Sequence, residues 1–196
     1  RGLVVALGNE AELAAVLGHE VVHAAARHGA QAMERGLLAQ GAVLATAIGT
    51  QGSEYARFAL QGAQLGAQLI QQRYGREAER EADRYGMEYM RRAGYDPRAA
   101  VTLQEKFLAL SEGRNPTWLE GLFASHPPSQ ERIENNRATA AALPPGGELG
   151  RDHYQRMIAV LVETRPAYEA HDEGRTALAQ GDLDRALRLA ELALER

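Results

Sequence analysis

Leu13-Ala14-Ala15-Val16-Leu17-Gly18-His19-Glu20-Val21-Val22-His23-Ala24-Ala25-Ala26 is the stretch that decides how this 196-residue chain is read. Its polar side chains are His19, Glu20 and His23 alone. On a helix, a four-residue step returns a side chain to nearly the same direction, so His19 and His23 can grip one metal ion. Glu20 lies about 60–100° round the cylinder from them, within reach of a water on that metal without ligating it. A helix apolar on nearly all sides is expected to be buried. Burying two imidazoles and a carboxylate without partners would cost several kcal/mol, a conflict that a zinc ion removes. Asn9 followed by Glu12 has the N-cap and N3 pattern of a capping box, which predicts a helix from about Glu10 to His28, with Gly29 as its stop.

The composition is that of a globular protein, with 45% hydrophobic and 24% charged residues. A net charge of −4 and the lack of a Lys/Arg cluster argue against a nucleic-acid partner. With no cysteine, neither disulfides nor thiolate ligands are open to the chain. The longest apolar run, Ala42 to Ile48, falls well short of the roughly 18–20 residues of a membrane span. The chain opens at Arg1 without Met and reads as a mature product or a piece of a longer protein.

Almost all of it reads as helix, so the fold class expected is mainly α. Residues 29–73 are rich in Ala, Gly and Gln and fit either two helices packed through small residues or a mobile lid hinged at Gly49 to Ser53. A charged helix is predicted from about Gly75 to Arg92, closed by Gly94. Asp96-Pro97 opens a helix to about Leu110, Asn115 to Phe123 forms a short helical turn, and Ser129 caps a helix to about Leu143. Ser125-His126-Pro127-Pro128 between them is extended. Pro144-Pro145-Gly146-Gly147 reads as a linker. The domains expected are therefore 1–143, a linker at 144–151, and a helical segment at 152–196. In that last segment Gly174, Gly181-Asp182, Ala186, Ala190 and Ala193 fit one tetratricopeptide-like repeat or a plain helical hairpin. Leu3 to Leu7 is ambiguous between helix and strand.

Zinc held by two histidines needs at least one more protein ligand. His28 lies about 180° round the helix from His19 and is expected to face away. The run Arg76-Glu77-Ala78-Glu79-Arg80-Glu81-Ala82-Asp83 supplies carboxylates. Glu79 is preferred because Asp83, one turn later, can accept the remaining N–H of a bound histidine, and because Ala78, Ala82 and Gly86 allow close helix approach. Glu77 and Glu81 are read as a solvated face.

The ordered motifs His19-Glu20-Val21-Val22-His23, Glu79-Arg80-Glu81-Ala82-Asp83-Arg84-Tyr85-Gly86 and Ser125-His126-Pro127 with Arg132-Ile133 resemble those of the HtpX and CAAX-prenyl-endopeptidase family of gluzincins, over about Arg1 to Leu143. With the tetratricopeptide-like tail, the match is nearest to that family's soluble, periplasmic bacterial branch. The resemblance implies a zincin-like helical core and one zinc ion on His19, His23 and Glu79. It gives Glu20 the role of general base and Asp83 a supporting role. It places His126 at the fourth zinc position or beside substrate, and Arg132 near the cleft to help hold the oxyanion. The activity implied is endopeptidase cleavage of protein or peptide substrates, in quality control of envelope proteins of the bacterial periplasm. An envelope-protein partner for the C-terminal segment follows from the same resemblance. The rival reading is a chaperone-like or scaffold module whose zinc site is latched by His126. The family's small β-sheet, with the substrate-holding strand that precedes the Arg1-Gly2-Leu3 match, is largely missing from this sequence. His153 and His171 match no motif and are read as surface residues.

Overall fold

Gly18 sets the geometry of the chain's central helix pair. In the computed structural model, which describes residues 1–113 and 117–194, a Cβ on Gly18 would lie 2.8 Å from the carbonyl oxygen of Gly86. One on Gly86 would lie 3.0 Å from the backbone nitrogen of His19. Two helices, α2 (Glu10–Ala25) and α4 (Ala56–Arg92), therefore cross backbone to backbone, with Ala82 fully buried at the contact. The expected boundary near Gly75 is absent, and α4 runs on as one 37-residue helix. Gly18→Ala should destabilise the metal-free protein by about 1–2 kcal/mol, because overpacking against backbone outweighs the ~1 kcal/mol that Ala gains in helix propensity. Denaturant unfolding checks this; unchanged stability would mean that the crossing can open at no cost.

The chain divides into two compact units, Ala11–Leu149 and a second made of Arg1–Glu10 with the segment from Gly150 onward. In the first, α4 ends at Gly94, whose φ of +92° and the bond from Tyr95 N to Met90 O form a Schellman-type stop. Asp96 Oδ1 accepts from Arg98 N at 3.0 Å and opens α5 (Arg98–Ser111). Next come α6 (Thr117–Ser125) and α7 (Gln130–Ala142), the latter capped by Ser129 Oγ accepting from Arg132 N at 3.2 Å. Asn115, where the short helical turn was expected to begin, lies outside the described residues. The core gathers Val22, Met87, Met90, Leu103, Phe107, Leu119 and Ile133, and Glu12 joins it by accepting from Lys106 Nζ at 2.6 Å. The Pro/Gly segment is pinned by Glu148, which bonds to Gly94 O and Asp96 N in a single parallel bridge with Tyr95. Gly147 passes so close to Tyr95 that a Cβ there would sit 2.5 Å from its carbonyl carbon.

Between α2 and α4 stands α3 (His28–Gly49), so residues 29–73 form two helices. Gly36, Ala39, Val43 and Ala47 face Ala67 and Gln71 across a groove, while Leu37, Leu44, Ile48 and Phe58 remain exposed. No helix among the described residues is long and apolar enough to cross a membrane.

In the second unit, Leu3 to Leu7 resolves as helix α1 (Gly2–Ala6). Tyr154 Oη on α8 (Arg151–Glu163) donates to Val4 O at 2.5 Å, and Arg1 donates to Leu161 O and lies over the Tyr168 ring. Helices α9 (Arg165–Ala179) and α10 (Leu183–Leu194) form a hairpin. A Cβ on Gly174 would lie 3.3 Å from Leu189 Cβ, and Gly181 turns the chain at φ +79°. Among the described residues the fold is mainly α, with no named strand.

Candidate metal centre

Crossing at Gly18 and Gly86 sets His19 and His23 of α2 against Glu79 and Asp83 of α4. His19 Nε2 and His23 Nε2 are 3.0 Å apart, and His19 Nε2 is 3.2 Å from Nδ1 of His126, which follows the end of α6. Glu79 Oε1 lies 3.1 Å from His23 Nε2 and 2.9 Å from His126 Nδ1, and Glu79 Oε2 is 3.4 Å from His19 Nε2. All four donor groups fall within 4.8 Å of one another. A tetrahedron of nitrogen and oxygen atoms about 2.0–2.1 Å from a central zinc has edges of about 3.3 Å. The donor set, three imidazoles and one carboxylate whose closest separations are near that length, fits zinc.

Asp83 and Arg132 hold this group from behind. Asp83 Oδ1 is 2.9 Å from His19 Nδ1, which fixes a proton on that nitrogen and makes Nε2 the nitrogen that faces the other donors. Arg132 donates to both Asp83 oxygens, at 2.8 and 2.7 Å, and its Nη1 lies 2.9 Å from Glu79 Oε2. Burial disfavours charge on every one of these groups, yet their pairing prevails. Against that burial, the hydrogen bonds of His126, His19 and His23 and the Arg132 charge keep Glu79 far below the usual carboxylate range. Asp83 is likewise lowered by His19 and Arg132, and Arg132 is raised by Asp83 and Glu79. His19, despite its burial, is held up to about 9 by Asp83 and Glu79 in the metal-free protein, so an arriving metal ion takes the place of a proton there.

Arg132, expected near the cleft, lies beside the carboxylates of the centre. It is buried, and its guanidinium is taken up by Asp83, Glu79 and the Pro127 carbonyl, which makes it a clamp on the carboxylates. Glu20 stands outside the donor group with a half-exposed side chain, its Oε1 3.6 Å from His126 Nε2. The helix that carries it is not buried all round: Leu17 is 55% and Val21 53% exposed, so an apolar strip flanks Glu20 on the open face of α2. Beside the centre lies a cavity of about 710 Å³ lined by His23, Glu79, Ser125 and His126 among others. His153 and His171 are exposed, as expected, although His153 pairs with Glu10.

Sequence reasoning missed His28. It is 6% exposed and does not face away, because α2 stops at Ala25 and the backbone turns at Arg27. Arg27 has φ +55°, the one positive φ on a non-glycine among the described residues, and this left-handed residue swings His28 back onto His23. The nitrogens His28 Nδ1 and His23 Nδ1 are 3.0 Å apart, and His28 Nε2 is 3.3 Å from Glu81 Oε2, so Glu81 does not belong wholly to the solvated face. No local signal marks this turn, since Gly29 offers a more ordinary place for it.

A helix-borne pair of histidines with a carboxylate donor from a second helix is the metal centre of a gluzincin metallopeptidase. Peptidase family M48 matches residues 1–140, and the chain belongs to that family, whose peptidases use zinc. It is similar to the β-barrel assembly-enhancing protease of Escherichia coli (strain K12), with 31% identity over 145 residues, 70% of this chain and 29% of that protein. Metalloprotease LoiP of the same organism is 32% identical over 131 residues, 67% of this chain and 50% of LoiP. The mitochondrial metalloendopeptidase OMA1 of Arabidopsis thaliana is 32% identical over 138 residues, 67% of this chain and 25% of OMA1. The chain thus spans less than a third of the β-barrel assembly-enhancing protease and half of LoiP.

Proposed function

We propose that this chain carries the catalytic unit of a zinc metalloendopeptidase, with His19, His23 and Glu79 as the zinc ligands. The observation that carries the reading is the convergence of His19 Nε2, His23 Nε2, Glu79 Oε1 and His126 Nδ1, linked in a ring by separations of 3.0, 3.1, 2.9 and 3.2 Å. When bound, zinc supplies Lewis acidity, bringing a water near neutral pKa and polarising a carbonyl. Glu20, outside the donor set, takes the proton of the attacking water and delivers it to the departing amine. Asp83 keeps His19 in the ligating tautomer, and Arg132 holds Asp83 and Glu79 in place. The cavity beside His126 receives the substrate chain. Residues 1–143 form the peptidase core in this reading, 144–151 the linker and 152–196 a tetratricopeptide-like segment. That segment's exposed Leu183, Leu187 and Leu194 suit a protein partner. Kinship with the β-barrel assembly-enhancing protease supports a role in quality control of proteins of the bacterial envelope or periplasm.

A second reading is favoured by His126 itself. Its Nδ1 lies 3.2 Å from His19 Nε2 and 2.9 Å from Glu79 Oε1, and in this reading it takes the place that substrate or water needs and latches the centre. The zinc-loaded chain should cleave α-casein slowly, in a reaction stopped by a chelator, and His126→Ala should raise that rate severalfold while zinc stays bound. An unchanged rate removes the latch. If neither protein cleaves although zinc is bound, the chain is a binding module and the peptidase reading fails.

A further inference from the structure

We propose that His28 and Glu81 are the positioning pair for His23, a separate counterpart to the Asp83–Arg132 support behind His19; this rests on the zinc reading above. A histidine can ligate through Nε2 only if that nitrogen carries a lone pair, so the ring's one proton must sit on Nδ1. For His23, Nε2 points at His19 and Glu79, and Nδ1 lies 3.0 Å from Nδ1 of His28. Two facing Nδ1 atoms bond only when one donates and the other accepts. If His28 donated, the His23 proton would be forced onto Nε2, into the donor cluster, and His23 could not ligate. In the opposite arrangement His23 Nδ1–H donates to His28 Nδ1. The proton of a neutral His28 then sits on its Nε2, 3.3 Å from Glu81 Oε2, which accepts it. The sequence Glu81, His28, His23 is thus a single run of hydrogen bonds that fits both neutral rings and leaves the lone pair where the donors converge.

The backbone points the same way. His28 is buried with its ring edge-on to His23, centroids 4.8 Å apart at 79°. Arg27 holds the left-handed conformation that brings it there, one that a residue with a Cβ adopts only under strain. Gln31 Nε2 secures the turn by donating to Ala26 O at 2.8 Å. The two neighbouring carboxylates of α4 have separate tasks: Asp83 serves His19, and Glu81, two residues earlier, serves His23 through His28.

Zinc affinity of the full chain, measured by competition with a chromophoric chelator, tests this. His28→Ala should weaken zinc binding about 10–100-fold, the usual effect of losing an outer hydrogen-bond partner of a ligand. His28→Asn should recover most of the loss, because its Oδ1 stands near the place of Nδ1 and can accept from His23. With cobalt(II) as the probe, the visible absorption bands should shift in His28→Ala and return in His28→Asn. Denaturant unfolding of the metal-free variants separates packing from positioning. Equal loss of affinity in both variants, tracking a loss of metal-free stability, would overturn the proposal in favour of a packing role. So would wild-type affinity in both. If the unmodified chain binds no zinc, the metal reading fails first and this proposal with it; if it binds zinc and His23→Ala does not, only the His28 results decide.

Discussion

Glu20→Gln is expected to slow cleavage of an unfolded substrate by about 10²–10⁴-fold while the zinc content stays at that of the parent chain. The separation of the two effects comes from geometry. Glu20 supplies no atom to the group formed by His19, His23, Glu79 and His126, and its half-exposed carboxylate approaches that group only at His126 Nε2, 3.6 Å away. Gln keeps the shape and the hydrogen-bonding reach of Glu but cannot accept a proton. Metal content and cleavage rate of the same preparation check it. A variant that keeps both zinc and activity would show that another group takes the proton.

Glu79→Ala should lose zinc altogether under conditions where Glu20→Gln retains it, a loss larger than the ~10–100-fold that follows removal of an outer partner. Glu79 is the one anionic donor of the four, and it faces His23, His126 and the Arg132 guanidinium at once. Without it Arg132 keeps Asp83 as its partner, but an arriving dication meets only imidazoles beside a buried guanidinium, with no anionic donor to balance its charge. Glu79→Gln, which keeps the volume and removes the charge, should fall between the two. Metal analysis after dialysis reads all three proteins. Retention of one equivalent of zinc by Glu79→Ala would move the third ligand elsewhere.

Much of this arrangement is legible in the sequence because helical spacing is rigid. A step of four residues puts His19 over His23 and Glu79 under Asp83 whatever else the chain does, and the small residues Gly18, Ala82 and Gly86 announce a close crossing. What spacing cannot report is where a helix stops when a residue adopts an uncommon conformation. Arg27 in the left-handed region carries no local signature, so spacing alone turns His28 away from His23 and leaves Glu81 on the solvated face. Nor does a run of apolar residues show what covers it, and so Leu17 and Val21, expected inside, stand exposed beside Glu20. Arg132 is readable as a residue near the centre, but its pairing with Asp83 depends on side-chain reach in three dimensions.

Diffraction from a zinc-loaded crystal, collected on both sides of the zinc absorption edge, tests the central claim most directly. The expected result is a single anomalous peak about 2.0–2.2 Å from His19 Nε2, His23 Nε2 and a carboxylate oxygen of Glu79. A peak held by other residues, or none at this centre, would contradict the account.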